Sequence, residues 1–230
     1  DLFFTVDSVQ KVLAAIVAGG LYPTLFLIRF DRMSDVVTPE CFNNLQGLKE
    51  AAHQKLSYVF TSYRPLYDLS PTVFPKSVLS VFARNMFLSP AKPGDTKIIF
   101  QTLEERYHAN FSTQVGTALI NLSGGHVQYL HLAILRLHEE KNPPSDLLSY
   151  LVQDEQIQLL SEELFESLTK AEKEALMSIQ RGEVIDQAMR QAASYLWNTG
   201  IVSDGNRKQV IFSSLFFHYL GTLTAPGGNG

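Results

Sequence analysis

The sequence predicts an α/β unit followed by an all-helical segment and a C-terminal run of helices closed by a small hairpin. Three observations predict it. Two short apolar runs, Leu25–Ile28 and Leu56–Phe60, flank one amphipathic helical stretch. A proline-rich section then gives way to helical periodicity from about Asp95 onward. Near the end, Asp204-Gly205 sits between two short apolar-polar alternations, the pattern of a tight turn between strands.

Each element follows from local chemistry. Ser8 to Ala18 reads as a helix with Val9, Leu13, Ile16 and Val17 on one face, stopped by Gly19-Gly20. Leu25–Ile28 is a continuous apolar run, as expected of a strand covered on both faces of a parallel sheet. Thr38-Pro39 supplies an N-cap and a proline at the first helical position, opening a helix to about His53. Leu56–Phe60 is the second strand, so strand, helix and strand form a βαβ unit. Pro65 to Pro93 is irregular. Asp95 caps a helix to about His108, and Ser112–Leu122 and His126–Glu139 follow as helices parted by Ser123-Gly124-Gly125.

Asn142-Pro143-Pro144 breaks the chain, and a domain boundary is expected there. From Ser145 the pattern is helical to about Leu168. Thr169-Lys-Ala-Glu172 is a capping box, opening a helix over Lys170–Gln180. Gln187–Asn198 is expected as one helix with Ala188, Ala192 and Leu196 facing the core. Two strands within Ile201–Phe212 and a last helix from Ser213 to about Leu223 complete the winged-helix order. The expected division is 1–93 for a partial α/β core, 94–144 for a helical segment, 145–224 for the winged helix and 225–230 for a frayed tail.

Composition narrows the function classes. Of 230 residues, 45% are hydrophobic and 18% charged, the balance of a packed protein. The net charge of −4 argues against polyanion binding by bulk electrostatics. A single cysteine, Cys41, rules out an intrachain disulfide and a cysteine-rich zinc site, and fits a reducing, cytoplasmic setting. No apolar run reaches membrane-spanning length, so no membrane partner is expected. His126, His131 and His138 are spaced by five and seven residues, which is not the i, i+4 pair of a zinc-binding helix. No metal is expected from them. No Gly-x-Ser-x-Gly elbow occurs, so independent hydrolase chemistry has no support.

Four motifs, in order, resemble AAA+ and STAND P-loop ATPases of the origin-recognition-like kind. Leu25–Ile28 with Arg29-Phe30-Asp31-Arg32-Met33 resembles their Walker B strand and its exit. Tyr58-Val-Phe-Thr61-Ser62-Tyr-Arg64 resembles the sensor-1 strand. Leu122-Ser-Gly124-Gly125-His126-Val127-Gln-Tyr129-Leu130 is similar to a Gly-Gly-His motif of the helical lid, with Val127 in the place of a proline. Val210-Ile-Phe-Ser-Ser-Leu215-Phe216 is similar to the end of the C-terminal winged helix. The resemblance implies a partial P-loop core, a helical lid and a winged helix, arranged as a nucleotide-dependent regulatory switch with ATP and Mg²⁺ as cofactors.

The departures are specific. The chain has no Gly-Lys pair, so it lacks a Walker A loop, and the resemblance places that loop on an N-terminal ATPase segment upstream of the first helix. Aligning Phe30-Asp31 with the family's Phe-Asp puts Ile28 and Arg29 where the metal-binding and catalytic acids stand. Tight binding of ATP to this chain alone is therefore not expected. Asp31 is the one acid left to hold Mg²⁺; its other reading is a cap on the turn. Thr61 and Ser62 stand where a sensor meets the γ-phosphate, or they bond the backbone beyond the strand. Arg64 contacts nucleotide or pairs with an acid. Gly124, Gly125 and His126 lie beside the adenine in the resemblance, while a glycine pair between helices also has a purely conformational use.

The winged helix carries its own alternative. Arg190, Gln191 and Tyr195 on its polar face, with Arg207 and Lys208 in the wing, are candidate contacts to DNA or to protein. Residues 163–225 hold seven acids and six bases, a poor footprint for DNA. Protein packing, including self-association, is the favoured use. A non-enzymatic DNA-binding regulator and a protein-interaction scaffold are the competing readings.

Overall fold

Leu25, Leu27, Tyr58 and Phe60 lie on one face of a two-stranded parallel sheet, and this face organises the first part of the protein. The computed structural model describes residues 5–33, 36–77, 79, 83–138, 140, 143–205 and 208–224. It divides into two compact units, residues 1–86 and 87–230, whereas the sequence places boundaries at 93–94 and 144–145.

In the first unit, helix α1 (Val6–Ala18) starts two residues earlier than the periodicity suggests, because the Thr5 hydroxyl caps it. Strand β1 (Thr24–Leu27) follows, then a 3₁₀ turn (Phe30–Met33). Helix α2 (Pro39–Ala51) opens as expected, with the Thr38 hydroxyl accepting from the Cys41 N–H. Strand β2 (Ser57–Phe60) pairs parallel with β1 in the register Thr24 to Ser57 and Leu27 to Phe60. The expectation of two parallel strands around one helix therefore holds. A short helix α3 (Leu66–Leu69) lies in the section expected to be irregular.

The expectation that the strands are covered on both faces does not hold among the described residues. Leu25 and Tyr58 pack with Leu13, Val17 and Leu56, and Leu27 and Phe60 pack with Phe30, Phe42 and Phe74. The rings of Phe30, Phe60, Phe74 and Phe42 meet edge to face at 5.1–5.9 Å, a favoured aromatic geometry. The opposite face carries Phe26 at 65% exposure and Val59 at 37%. Ile28, just past β1, is 73% exposed. An all-apolar run does not reveal which of its two faces a fold covers.

The second unit is helical with one hairpin. Its helices are α4 (Pro93–Tyr107), α5 (Thr113–Ser123), α6 (Val127–His138), α7 (Leu147–Leu151), α8 (Glu155–Glu166) and α9 (Lys170–Gln180). Then come α10 (Gln187–Ala192), α11 (Ser194–Asn198), strands β3 (Val202–Asp204) and β4 (Gln209–Ile211), and α12 (Ser214–Thr224). Pro93 holds the first turn of α4, so Asp95 lies inside the helix and is not its cap. The capping box is present in full: the Glu172 N–H donates to Thr169 and the Thr169 N–H to the Glu172 carboxylate.

Two details depart from the sequence pattern. The helix expected over Gln187–Asn198 breaks at Ala193, whose ψ of 24° leaves the helical range. Met189, Ala193 and Leu196 turn inward, and Ala188 and Ala192 are exposed. The inward set follows i, i+4, i+7 spacing, and bulkier Met189 wins the core position over alanine. Asp204-Gly205 is not a two-residue turn either. Asp204 already pairs with Gln209 across the antiparallel ladder, so the connection takes residues 205–208, with the Gly205 N–H donating to the Lys208 carbonyl. Arg207 and the tail 225–230 lie outside the described residues.

One continuous core joins residues on both sides of position 144: Leu119, Tyr129 and Ile134 pack in the same cluster as Leu176, Leu196 and Phe216. The buried Tyr129 hydroxyl meets Ser161 at 2.7 Å, and Ser161 donates to the Ile157 carbonyl. At the α5 terminus the backbones almost touch. A Cβ on Gly124 would fall 1.7 Å from the Phe212 carbonyl oxygen, and Gly124 has a φ of +58°. Gly182 has a φ of +79° with nothing near it. Gly124→Ala is expected to lower stability by about 2–4 kcal/mol, combining left-handed strain with overpacking. Gly182→Ala should cost only about 1 kcal/mol of strain. Urea midpoints of the two variants test the contrast, and equal losses would refute the packing explanation.

Candidate functional site

The first cluster lies where β1 and β2 end. Arg29 leaves β1 in the left-handed region, with a φ of +55°. That region is costly for a residue with a Cβ, by about 1–2 kcal/mol. Contacts to Thr61, Asp31 and Tyr63 help to hold it. Its N–H donates to the Thr61 hydroxyl at 2.9 Å. Its guanidinium forks onto Asp31, with Nε 3.3 and 3.2 Å from the two carboxylate oxygens and a terminal nitrogen at 3.0 Å. Its planar head also lies over the Tyr63 ring, 4.4 Å from the centroid, where the ring's negative face attracts a cation. The Phe30 N–H then donates to the Thr61 carbonyl at 2.8 Å, extending the ladder past the strand end.

These contacts show how the nominated residues of this unit are used. Both carboxylate oxygens of Asp31 accept from Arg29, and its side chain is only 14% exposed. Thr61 and Ser62 bond the backbone: Thr61 accepts from Arg29, and the Ser62 hydroxyl donates to the Arg64 carbonyl. Arg64 faces Asp68 at 3.6 Å. The structure thus brings Asp31, Thr61 and Tyr63 together around residue 29. Tyr63 was not legible as a participant, because an aromatic three residues past a strand carries no periodic signal.

The fit of Mg²⁺ can be judged from this geometry. A hard divalent cation needs carboxylate oxygen with free lone pairs. Asp31 presents its oxygens to a guanidinium, which bears positive charge where the ion would sit. The residues present do not fit the ion. Among the described residues, no group of three or more His, Cys, Asp or Glu side chains is placed to hold a metal.

The second cluster surrounds Gly124, Gly125 and His126. Gly125 has a φ of +83°, and a Cβ there would meet the Ala91 carbonyl at 2.2 Å. The Ala91 N–H in turn donates to the Gly125 carbonyl at 2.8 Å. Both glycines are thus explained by close backbone approach. The His126 ring packs against Tyr129 at 4.9 Å and Phe212 at 5.6 Å, and its Nδ1 accepts from the Tyr129 N–H. Desolvation among these rings lowers its pKa to about 4, so the ring is neutral near pH 7. Ser213 completes the joint: its hydroxyl donates to the Leu122 carbonyl at 2.8 Å and accepts from the Leu215 and Phe216 N–H groups.

The third cluster is on α10, α11 and the hairpin. Arg190 forks onto Asp204 at 3.0 and 2.6 Å and lies over Trp197 at 4.7 Å, while the Trp197 indole N–H donates to the same carboxylate at 3.3 Å. Tyr195 meets Phe87 edge to face at 6.2 Å. Gln191 and Lys208 are exposed. Asp204 and Trp197 escaped the sequence reading, since they meet Arg190 only once the hairpin folds back on α10 and α11. Two concavities of this unit lie elsewhere. One of about 720 Å³ is lined by Glu104, Glu105, His108 and Phe111, and one of about 610 Å³ by Gln114, Asn121 and Asp146. None of the nominated residues lines either.

No protein-family model matches the chain, and comparison with curated proteins finds no match. No helix among the described residues is long and apolar enough to cross a membrane.

Burial of His126 has a pH consequence with a definite sign. Its folded pKa, about 4, lies below the ordinary value of 6.5. The unfolded chain therefore binds the proton first, and stability falls as pH drops from about 6.5 towards 4. Between pH 7 and pH 5 the wild type should lose up to about 2 kcal/mol more than a His126→Gln variant. Guanidinium denaturation of both proteins at the two pH values is the measurement; parallel losses would show that the ring is already solvated.

Proposed function

We propose that this chain is part of a nucleotide-dependent regulatory switch of the AAA+/STAND type, in a degenerate form that acts through conformation and contact instead of hydrolysis. The observation that carries the reading is the parallel pairing of β1 with β2, with Asp31, Thr61 and Ser62 gathered beyond their carboxyl ends. Ligands of open α/β sheets bind at that end of the strands. The chemistry there, however, is closed by Arg29. ATP and Mg²⁺ belong to the proposal only through the resemblance, which assigns the phosphate-binding loop to sequence upstream of α1.

In this reading α4 to α6 are the helical lid and α7 to α12 the winged-helix domain. The order of three helical segments, hairpin and terminal helix supports the second assignment. The core shared across position 144 supports lid and winged helix acting as one body. A switch needs a ligand that interacts differently with its two states. For the module's output, protein packing is favoured over DNA because Arg190, the cation best placed on α10, is held by Asp204 and Trp197.

Calorimetric titration of residues 1–230 with ATP and Mg²⁺ should give no sub-micromolar binding. Hydrogen exchange of the protein together with its loop-bearing segment should change on adding ATP in the region of Gly124 to Val127. Exchange indifferent to nucleotide would refute the switch. Titration of residues 1–230 with duplex DNA should show weak binding with a shallow salt dependence. Tight binding that falls steeply with salt, and is lost in Arg207→Ala/Lys208→Ala, would replace protein packing with DNA binding.

A further inference from the structure

Residue 29 lies in a conformation that glycine or asparagine adopts with little cost, yet an arginine stands there. A solvent-exposed ion pair contributes little to stability and would not by itself offset that strain. The pair formed by Arg29 is instead partly buried, with side-chain exposures of 31% and 14%, and its geometry is forked. Its guanidinium meets Asp31 in front and the Tyr63 ring beneath, while its backbone N–H donates to the Thr61 hydroxyl. Strained backbone that is over-determined by its surroundings is a common mark of a functional position.

We infer that Arg29 is a built-in counter-ion, occupying with its guanidinium the place at the end of β1 that a divalent cation would take, so that the strand ends are held in one arrangement without metal. The inference rests on reading this end of the sheet as the ligand end of an ATPase-like core. A guanidinium is permanently charged, planar and suited to carboxylate in a fork, so the replacement is not reversed by pH in the physiological range. It brings one positive charge where the ion would bring two, and it offers no open coordination position to a phosphate or a water. Asp68, on α3 beyond β2, likewise faces an arginine, Arg64, at 3.6 Å. The arrangement therefore fixes the strand-end geometry permanently, where a metal would fix it only while ligand is bound.

The test uses Mn²⁺ alone as the probe, followed by the electron paramagnetic resonance signal of the free ion. The wild type should show no site up to ~1 mM, the weak limit of carboxylate sites. Arg29→Asn tolerates the left-handed backbone and frees the Asp31 carboxylate. It should bind Mn²⁺ about tenfold or more tighter than wild type, as expected on removing a neighbouring positive charge. The gain should vanish in Arg29→Asn/Asp31→Asn. Equal binding by wild type and Arg29→Asn, or none by an Arg29→Asn protein that melts cooperatively, would overturn the inference. Should that variant fail to fold, wild type against Asp31→Asn still decides: Mn²⁺ binding by the wild type that disappears in Asp31→Asn refutes a built-in counter-ion, and its absence from both upholds it. Nucleotide-indifferent hydrogen exchange, by contrast, refutes the switch reading whatever Mn²⁺ does.

Discussion

The approach of the Gly124-Gly125 backbone to Phe212 and Ala91 is the constraint on which the second unit depends. A side chain at Gly124 would push the α5 terminus away from the end of the hairpin, and one at Gly125 would push it away from Ala91. With that gap opened, Ser213 could no longer reach the Leu122 carbonyl while capping α12. His126, Tyr129 and Phe212 would also lose their ring contacts. Packed interiors tolerate small volume changes poorly, so a local loss of this kind spreads through one continuous core. Helices that look in sequence like two domains are in this way bound into one body. Any switching that involves 87–230 has to move that body together, because the polar links Tyr129–Ser161 and Leu122–Ser213 cross position 144.

The first unit is ordered by a different kind of constraint. Its sheet has two strands and one covered face, a marginal arrangement on its own. The cross-links at the strand ends matter correspondingly more: the Thr61 N–H to the Leu27 carbonyl, the Phe30 N–H to the Thr61 carbonyl, and the Arg29 N–H to the Thr61 hydroxyl. They carry the pairing beyond the four residues of each strand. Thr61, nominated as a sensor of phosphate, takes part in this closure through its hydroxyl, as an acceptor, and through both its backbone groups.

Elements with a strong local cause were legible in the sequence. Thr38-Pro39 and Thr169-Lys-Ala-Glu172 set helix starts through contacts spanning three residues, and both occur as read. The parallel pair was legible because two apolar runs around one helix leave few topologies. Features decided by distant contacts were not. Ala188 and Ala192 matched a four-residue repeat, but the core chose Met189, Ala193 and Leu196, and a break at Ala193 reset the phase. Asp204-Gly205 looked like a complete turn, but strand pairing claimed Asp204. At the candidate site, residue types and positions were legible, while their partners were not. Thr61 to Arg29 spans 32 positions, and Leu122 to Ser213 spans 91.

The arginines show how far a charge count can mislead about function. In the sequence Arg29 stands where a catalytic acid would, and Arg64 and Arg190 are cations offered to nucleotide or DNA. In the fold each faces a carboxylate, Asp31, Asp68 and Asp204 respectively, and two of them also lie over an aromatic ring. A cation in a forked pair must lose that partner before it can bind an external anion, so its contribution is the difference between two similar interactions. Counterion release from a polyanion requires cations that face solvent, and Lys208 meets that condition better than Arg190 does. The same reasoning applies at the strand ends, where Arg29 and Asp31 cancel each other before any ligand arrives. What these sites present to the outside is therefore mainly shape and apolar surface, such as Phe26, Ile28 and Val59 on the uncovered sheet face.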